Sequence, residues 1–241
     1  MKKTINISKA DALVIANIQI DFLPGGVLPV SEGDIVIPVL NDYIKIFKGA
    51  GAFIFAIRDW HPQNHVSFTT QGGQWPPHCI QQSEGAKFHP DLRLPEETVV
   101  ISKATDTLKD AYSSFDGTGL AQNLKMHGIY RLFVCGFATE YCILNTVLDA
   151  PKLGFAPVLL LDAVRGINAK PNDANRAIEK MVSNGAEQAT LDDFPDLLDV
   201  PFDEKPRSDI ISEKPLSKVE LKRKARMRPR GPYKKVRTER G

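Results

Sequence analysis

Six short apolar runs, separated by amphipathic ones, constrain this chain more than any other feature. The runs are residues 12–18, 52–58, 98–102, 131–135, 156–161 and 187–190. They are rich in Val, Ile, Phe and Leu with little polar alternation, the pattern of strands buried on both faces. Between them lie helical stretches at 34–48, 119–127, 140–152 and 172–184. In the first, Ile35, Val39, Tyr43, Ile46 and Phe47 form a stripe, and Gly128, Gly154 and Gly185 follow the other three as stops. Strand and helix alternation of this kind predicts an α/β fold of three layers, α/β/α, around a mostly parallel six-stranded sheet. Reactive groups on such a sheet belong at the carboxyl ends of the strands.

Charge divides the chain. Residues 205–241 hold 14 Lys and Arg against 4 Asp and Glu, and the rest holds 17 against 25. The expected organisation is one folded acidic body over 1–200 and a flexible basic tail over 201–241. The run from Lys222 to Arg230 reads as a solvated tail, an import signal, or a contact for nucleic acid or an acidic surface. No apolar run is long enough to span a membrane, and the N-terminus lacks the apolar core of a signal peptide. The odd set Cys79, Cys135 and Cys142 argues against a disulfide framework. The expected address is therefore cytoplasmic, or nuclear if the tail acts as an import signal.

Candidate chemistry lies at the ends of the predicted strands. Cys142 follows the run ending at Cys135-Gly136, which puts a thiol at a strand-to-helix turn, where a helix N-terminus lowers a thiol pKa. The bland alternative is a small buried core residue. The second strand ends in Asp59-Trp60-His61, with His65 and then His78 beyond; three of the five histidines fall between 61 and 78. This oxygen and nitrogen set suits Zn²⁺, Fe²⁺ or Mn²⁺. The loop from 59 to 95 has no period, but Trp60, Phe68, Trp75 and Phe88 argue for order. Lys103 ends the third strand and would face the same crevice as Cys142. Asn17 and Asp21 close the first strand, and Asp21 is expected to pin the turn at Pro24-Gly25-Gly26. Pro151 should end the helix after Cys142 early.

Together these segments resemble the nicotinamidase branch of the isochorismatase-like cysteine hydrolases. Asn17-Ile18-Gln19-Ile20-Asp21-Phe22, Asp59-Trp60-His61-Pro62, Trp75-Pro76-Pro77-His78-Cys79, Gly85-Ala86-Lys87-Phe88-His89-Pro90 and Gly136-Phe137-Ala138-Thr139-Glu140-Tyr141-Cys142 carry the likeness, with Tyr112-Ser113-Ser114-Phe115 a weaker match. The resemblance implies hydrolysis of nicotinamide to nicotinate and ammonia, a step of NAD salvage, through a cysteine thioester. It makes Cys142 the nucleophile and Lys103 the triad lysine. Asp59, His61 and His78 would hold one divalent ion, zinc first and iron or manganese next, with His65 near it or on it. Phe22 and Trp75 would wall the ring, with Phe137 and Tyr112 as further substrate contacts. The Phe137–Ala138 peptide would be cis, and the N–H groups of Ala138 and Cys142 would form the oxyanion hole. A small-molecule substrate and a homo-oligomeric assembly are the expected partners.

One position departs from that pattern. Where the family places the aspartate that serves as general base, this chain has Asn17. An amide keeps the shape but takes no proton. The chain is therefore expected to turn over slowly. The alternatives are a non-catalytic binding protein, or a hydrolase of another small amide or an isochorismate-like ether.

Overall fold

A computed structural model describes residues 4–194. Six strands form one sheet: β1 Asp11–Ala16, β2 Phe53–Asp59, β3 Val99–Lys103, β4 Arg131–Gly136, β5 Ala156–Val164 and β6 Glu187–Ala189. Their order across the sheet is β3-β2-β1-β4-β5-β6, and every pairing is parallel, so no antiparallel strand joins the sheet. The apolar runs are continuous because both faces are covered. Leu13, Ile15, Phe133 and Cys135 point to one side, where α1 (Val36–Gly49) packs. Ala12, Val14, Leu132 and Val134 point to the other, under α2 (Leu120–Met126), α3 (Leu144–Asp149) and α4 (Asp173–Ser183). Among the described residues no helix is long and apolar enough to cross a membrane.

Two helices differ from the sequence reading. The buried stripe of α1 includes Tyr43, Ile46 and Phe47 as expected, but it is wider, with Val36, Ile37, Leu40 and Ile44, while Val39 is half-buried and Ile35 exposed. The predicted helix over 140–152 is three pieces: a π-helical turn Thr139–Ile143, α3, and a 3-10 turn that Pro151 opens. Proline has no N–H to continue the ladder, so α3 stops before it as expected. Gly128, Gly154 and Gly185 all take positive φ past helix ends.

The loop between β2 and β3 is held rather than loose. Short bridges join His61 to Ile80, Phe68 to Trp75 and Gln19 to Phe88, and Phe68 and Phe88 are buried. Gln19 is its main fastener. Its amide donates to the carbonyls of Asp59 (2.8 Å) and Ala86 (2.9 Å), and its oxygen accepts from Asp59 N–H (2.7 Å). Asp21 does not pin the turn expected of it; its carboxylate instead accepts from Cys79 N–H at 2.7 Å, across the loop. The basic tail lies outside the described residues.

At the start of β1, Asp11 accepts from Arg131 Nε (2.7 Å), Arg131 Nη2 (2.9 Å) and Ser8 N–H (2.7 Å). Burial would raise its pKa, but Arg131 and Ser8 outweigh it and hold the carboxyl below its ordinary 3.8. Arg131 is about a third exposed, so solvent weakens the pair. Asp11→Asn is expected to lower unfolding free energy by about 1–2 kcal/mol at neutral pH, measured by urea denaturation. A depressed carboxylate stabilises above the unfolded pKa, so the gap between the two proteins should hold down to about pH 4. It should close as pH falls further, through the folded pKa.

Candidate active site

The chain order reverses direction in the sheet between β1 and β4, and the carboxyl ends of β1 to β4 open there onto one cleft. Asn17 follows β1, Asp59 ends β2, Lys103 ends β3, and Gly136 ends β4 with Cys142 one turn on. Gly136 has φ +105°, and a Cβ there would sit 2.0 Å from Ala16 O, so only glycine lets β4 close on β1 at this level. The cleft is narrow, with a cavity of about 40 Å³ at its centre, and its lining is mainly apolar and aromatic with a few convergent polar groups, the make-up of a small-molecule site. Asn17, Phe22, Asp59, Trp75, His78, Lys103, Tyr112, Ala138 and Cys142 all line it, as do Leu28, Tyr141 and Ile167.

At its floor lies a buried ion pair. Parallel register sets Asp59 opposite Lys103, and Lys103 Nζ donates to Asp59 Oδ1 and, at 2.9 Å, to Ala111 O. Burial works against both charges, but each holds the other ionised: Asp59 titrates below and Lys103 above its ordinary range. Asn17 completes the cluster in the left-handed region (φ 59°), which asparagine tolerates. Its Nδ2 donates to Asp59 Oδ2 at 3.4 Å. A carboxylate only accepts, so the amide must turn its NH₂ to Asp59 and its oxygen away. That oxygen is buried without a partner among the described residues.

Cys142 is 2 % exposed, on the π-helical turn. Burial pushes its thiol up, and the Lys103 charge only partly opposes this. The expectation of a lowered pKa is thus corrected: burial of the thiol outweighs the Lys103 charge and the hydroxyls that favour the thiolate. Ser114 Oγ lies 3.6 Å and Thr146 Oγ1 3.9 Å from the sulfur, neighbours that sequence reading missed. The Phe137–Ala138 peptide is cis, and Ala138 N–H has no backbone acceptor among the described residues.

Donor atoms of Asp59, His61 and His78 lie within 4.8 Å of one another. His61 Nδ1 faces His78 O at 3.0 Å and His78 Nδ1 faces Pro76 O at 2.7 Å. A carbonyl only accepts, so each Nδ1 carries the proton and each Nε2 keeps its lone pair. Burial pushes the His61 imidazole down to about 4, so it is neutral at pH 7. These are the features a divalent ion needs. His65 stands beside the set, its ring 4.5 Å from that of His61, but its nitrogens face Ser67 Oγ (2.7 Å) and Lys109 O (3.2 Å). It is near the donors rather than one of them.

Aromatic side chains wall the cleft. Tyr141 meets Trp75 edge-on at 5.0 Å and stacks on Tyr112 at 5.8 Å, and Trp75 Nε1 donates to Tyr112 Oη at 3.1 Å. Phe22 packs edge-on against His78. Phe137 departs from expectation: its ring is fully buried in the core on the α1 side, and the cleft is lined instead by its neighbour Ala138.

An isochorismatase-domain profile matches residues 11–193. The nicotinamidase of Escherichia coli (strain K12) is 38% identical over 204 residues, covering 76% of this chain and 96% of that protein. Among solved structures, the pyrazinamidase of Pyrococcus horikoshii in complex with zinc is 52% identical with a TM-score of 0.72, over 75% of this chain and 99% of that one. PnC1 from L. infantum in complex with nicotinate is 35% identical with a TM-score of 0.74, over 80% and 98%.

Titration of the metal-free chain with Zn²⁺ is expected to give one site. His78→Ala should weaken it about a hundredfold or more, whereas His65→Ala, a change beside the set, should weaken it by about tenfold at most.

Proposed function

The chain belongs to the isochorismatase family, and from that premise we propose that it is a nicotinamidase-type amidohydrolase, converting nicotinamide and water to nicotinate and ammonia in NAD salvage. The observation that carries this reading is convergence: the Cys142 thiol, the Asp59–Lys103 pair and the Asp59, His61, His78 donor set share one aromatic cleft. The nicotinamidase and pyrazinamidase relatives support it.

Phe22, Trp75 and Tyr112 flank the pyridine ring. Cys142 Sγ attacks the carboxamide carbon, and the oxyanion takes hydrogen bonds from the N–H groups of Ala138 and Cys142. The thiol proton goes to the amide nitrogen, which leaves as ammonia. Water then cleaves the thioester, releasing nicotinate and restoring the thiol. Asp59, His61 and His78 would hold a divalent ion, zinc by the nature of the donors and the zinc-bound relative. Such an ion would supply a Lewis acid for the ring nitrogen.

Asn17 is the weak link. The base position beside Asp59 holds an amide, which neither accepts the thiol proton nor hands it to the leaving nitrogen. We assign the chain a slow cycle on this ground. The same residue favours a second reading, a protein that binds nicotinamide without turning it over.

Ammonia release by the metal-loaded chain and by Asn17→Asp separates these. The expected result is slow release by the natural chain and a gain of about a hundredfold or more in kcat/KM with aspartate. No gain, with fold and metal content intact, would refute the role given to position 17. Calorimetric binding of nicotinamide without ammonia from the natural chain would favour the binder.

A further inference from the structure

Two hydroxyls packed on the Cys142 sulfur have no part in the chemistry above. Ser114 and Thr146 are fully buried. Thr146 lies four residues after Cys142, on the same helical face. Ser114 comes from the loop between β3 and α2, tied down by Thr118 Oγ1 donating to Ser114 O at 2.7 Å.

Their hydrogen bonds run one way. Ser114 N–H donates to Thr146 Oγ1 at 2.9 Å, and Thr146 Oγ1 donates to Ser114 Oγ at 2.9 Å. The proton of Thr146 is thereby committed, and Ser114 Oγ has accepted. What Ser114 retains is its own proton, and the Cys142 sulfur at 3.6 Å is its one remaining partner among the described residues. A thiol is a weak acceptor and a thiolate a strong one, so a donor aimed at sulfur favours the charged form selectively.

We propose that Ser114 is a further catalytic residue, its hydroxyl donating to the Cys142 sulfur as the thiolate forms, with Thr146 as the positioning residue that aims it. In a chain with Asn17 where a base would stand, this donor carries more of the stabilisation of the nucleophile. The proposal rests on reading Cys142 as the nucleophile.

The test is alkylation of Cys142 by iodoacetamide across pH, in the full chain with one equivalent of Zn²⁺, followed by mass spectrometry of the Cys142 peptide. It needs no substrate, so a chain that fails to hydrolyse nicotinamide still answers it. The charges facing the sulfur, Lys103 and Asp59, are the same in every variant. Ser114→Ala is expected to move the profile to higher pH and slow alkylation at neutral pH about tenfold. Thr146→Val should slow it about threefold, and Thr146→Ser, which keeps the donor, should match the natural chain. A natural profile in Ser114→Ala, with melting temperature and zinc content unchanged, would overturn the proposal. If Ser114→Ala does not fold, identical profiles in Thr146→Val and Thr146→Ser would overturn it. A natural Cys142 that resists the reagent at every pH would do so as well.

Discussion

The buried pair of Asp59 and Lys103 is the constraint on which the rest of this structure depends. Either charge alone at this depth would cost several kcal/mol, so each requires the other in hydrogen-bonding contact. The parallel register of β2 and β3 provides that contact by setting the two residues opposite one another. The pair then organises its surroundings. Lys103 holds Ala111 O, which fixes the loop carrying Tyr112 and Ser114. Asp59 is gripped through its backbone by Gln19 and through its carboxylate by Asn17. The aromatic wall, the hydroxyls on the sulfur and one of the candidate metal donors are thus placed by a single electrostatic requirement.

The sheet was legible in the sequence because a strand covered on both faces writes its burial as an uninterrupted apolar run. The strand ends were legible too, since Asp59, Lys103 and the glycine before Cys142 stop such runs with polar or flexible residues. Long-range contacts were not legible. Nothing local in Gln19 announces that its amide spans from Asp59 to Ala86. Nothing in Ser114 announces a helix residue 32 positions later as its partner. Spacing left open whether His65 stood near the donor set or within it, because spacing records reach and not competition, and Ser67, two residues on, claims its ring. Phe137 was misplaced because side-chain direction at the cis peptide is a property of backbone geometry that residue type does not carry. The thiol's environment was misjudged for a related reason: a helix terminus is visible in sequence, but the degree of desolvation is not.

Asn17 gives this site its particular character. It preserves the shape of the cluster, donates to Asp59 and occupies a left-handed backbone position that it tolerates well. What an amide lacks is the ability to take up a proton as a carboxylate would. Its oxygen remains buried and unpartnered among the described residues, a cost the fold carries beside the mutually bonded Asp59–Lys103 pair. The geometry of the pocket and the proton chemistry that would use it are therefore separable here, and in the function proposed above Cys142 would rely on Lys103 and its hydroxyl neighbours.

The central claim is that Cys142 attacks a pyridine carboxamide in this cleft. Comparing ammonia release from nicotinamide by the zinc-loaded natural chain and by Cys142→Ala, over hours and with metal content matched, tests it most directly. The account predicts slow, sustained release that is lost with the sulfur. Release that persists undiminished in Cys142→Ala would contradict it.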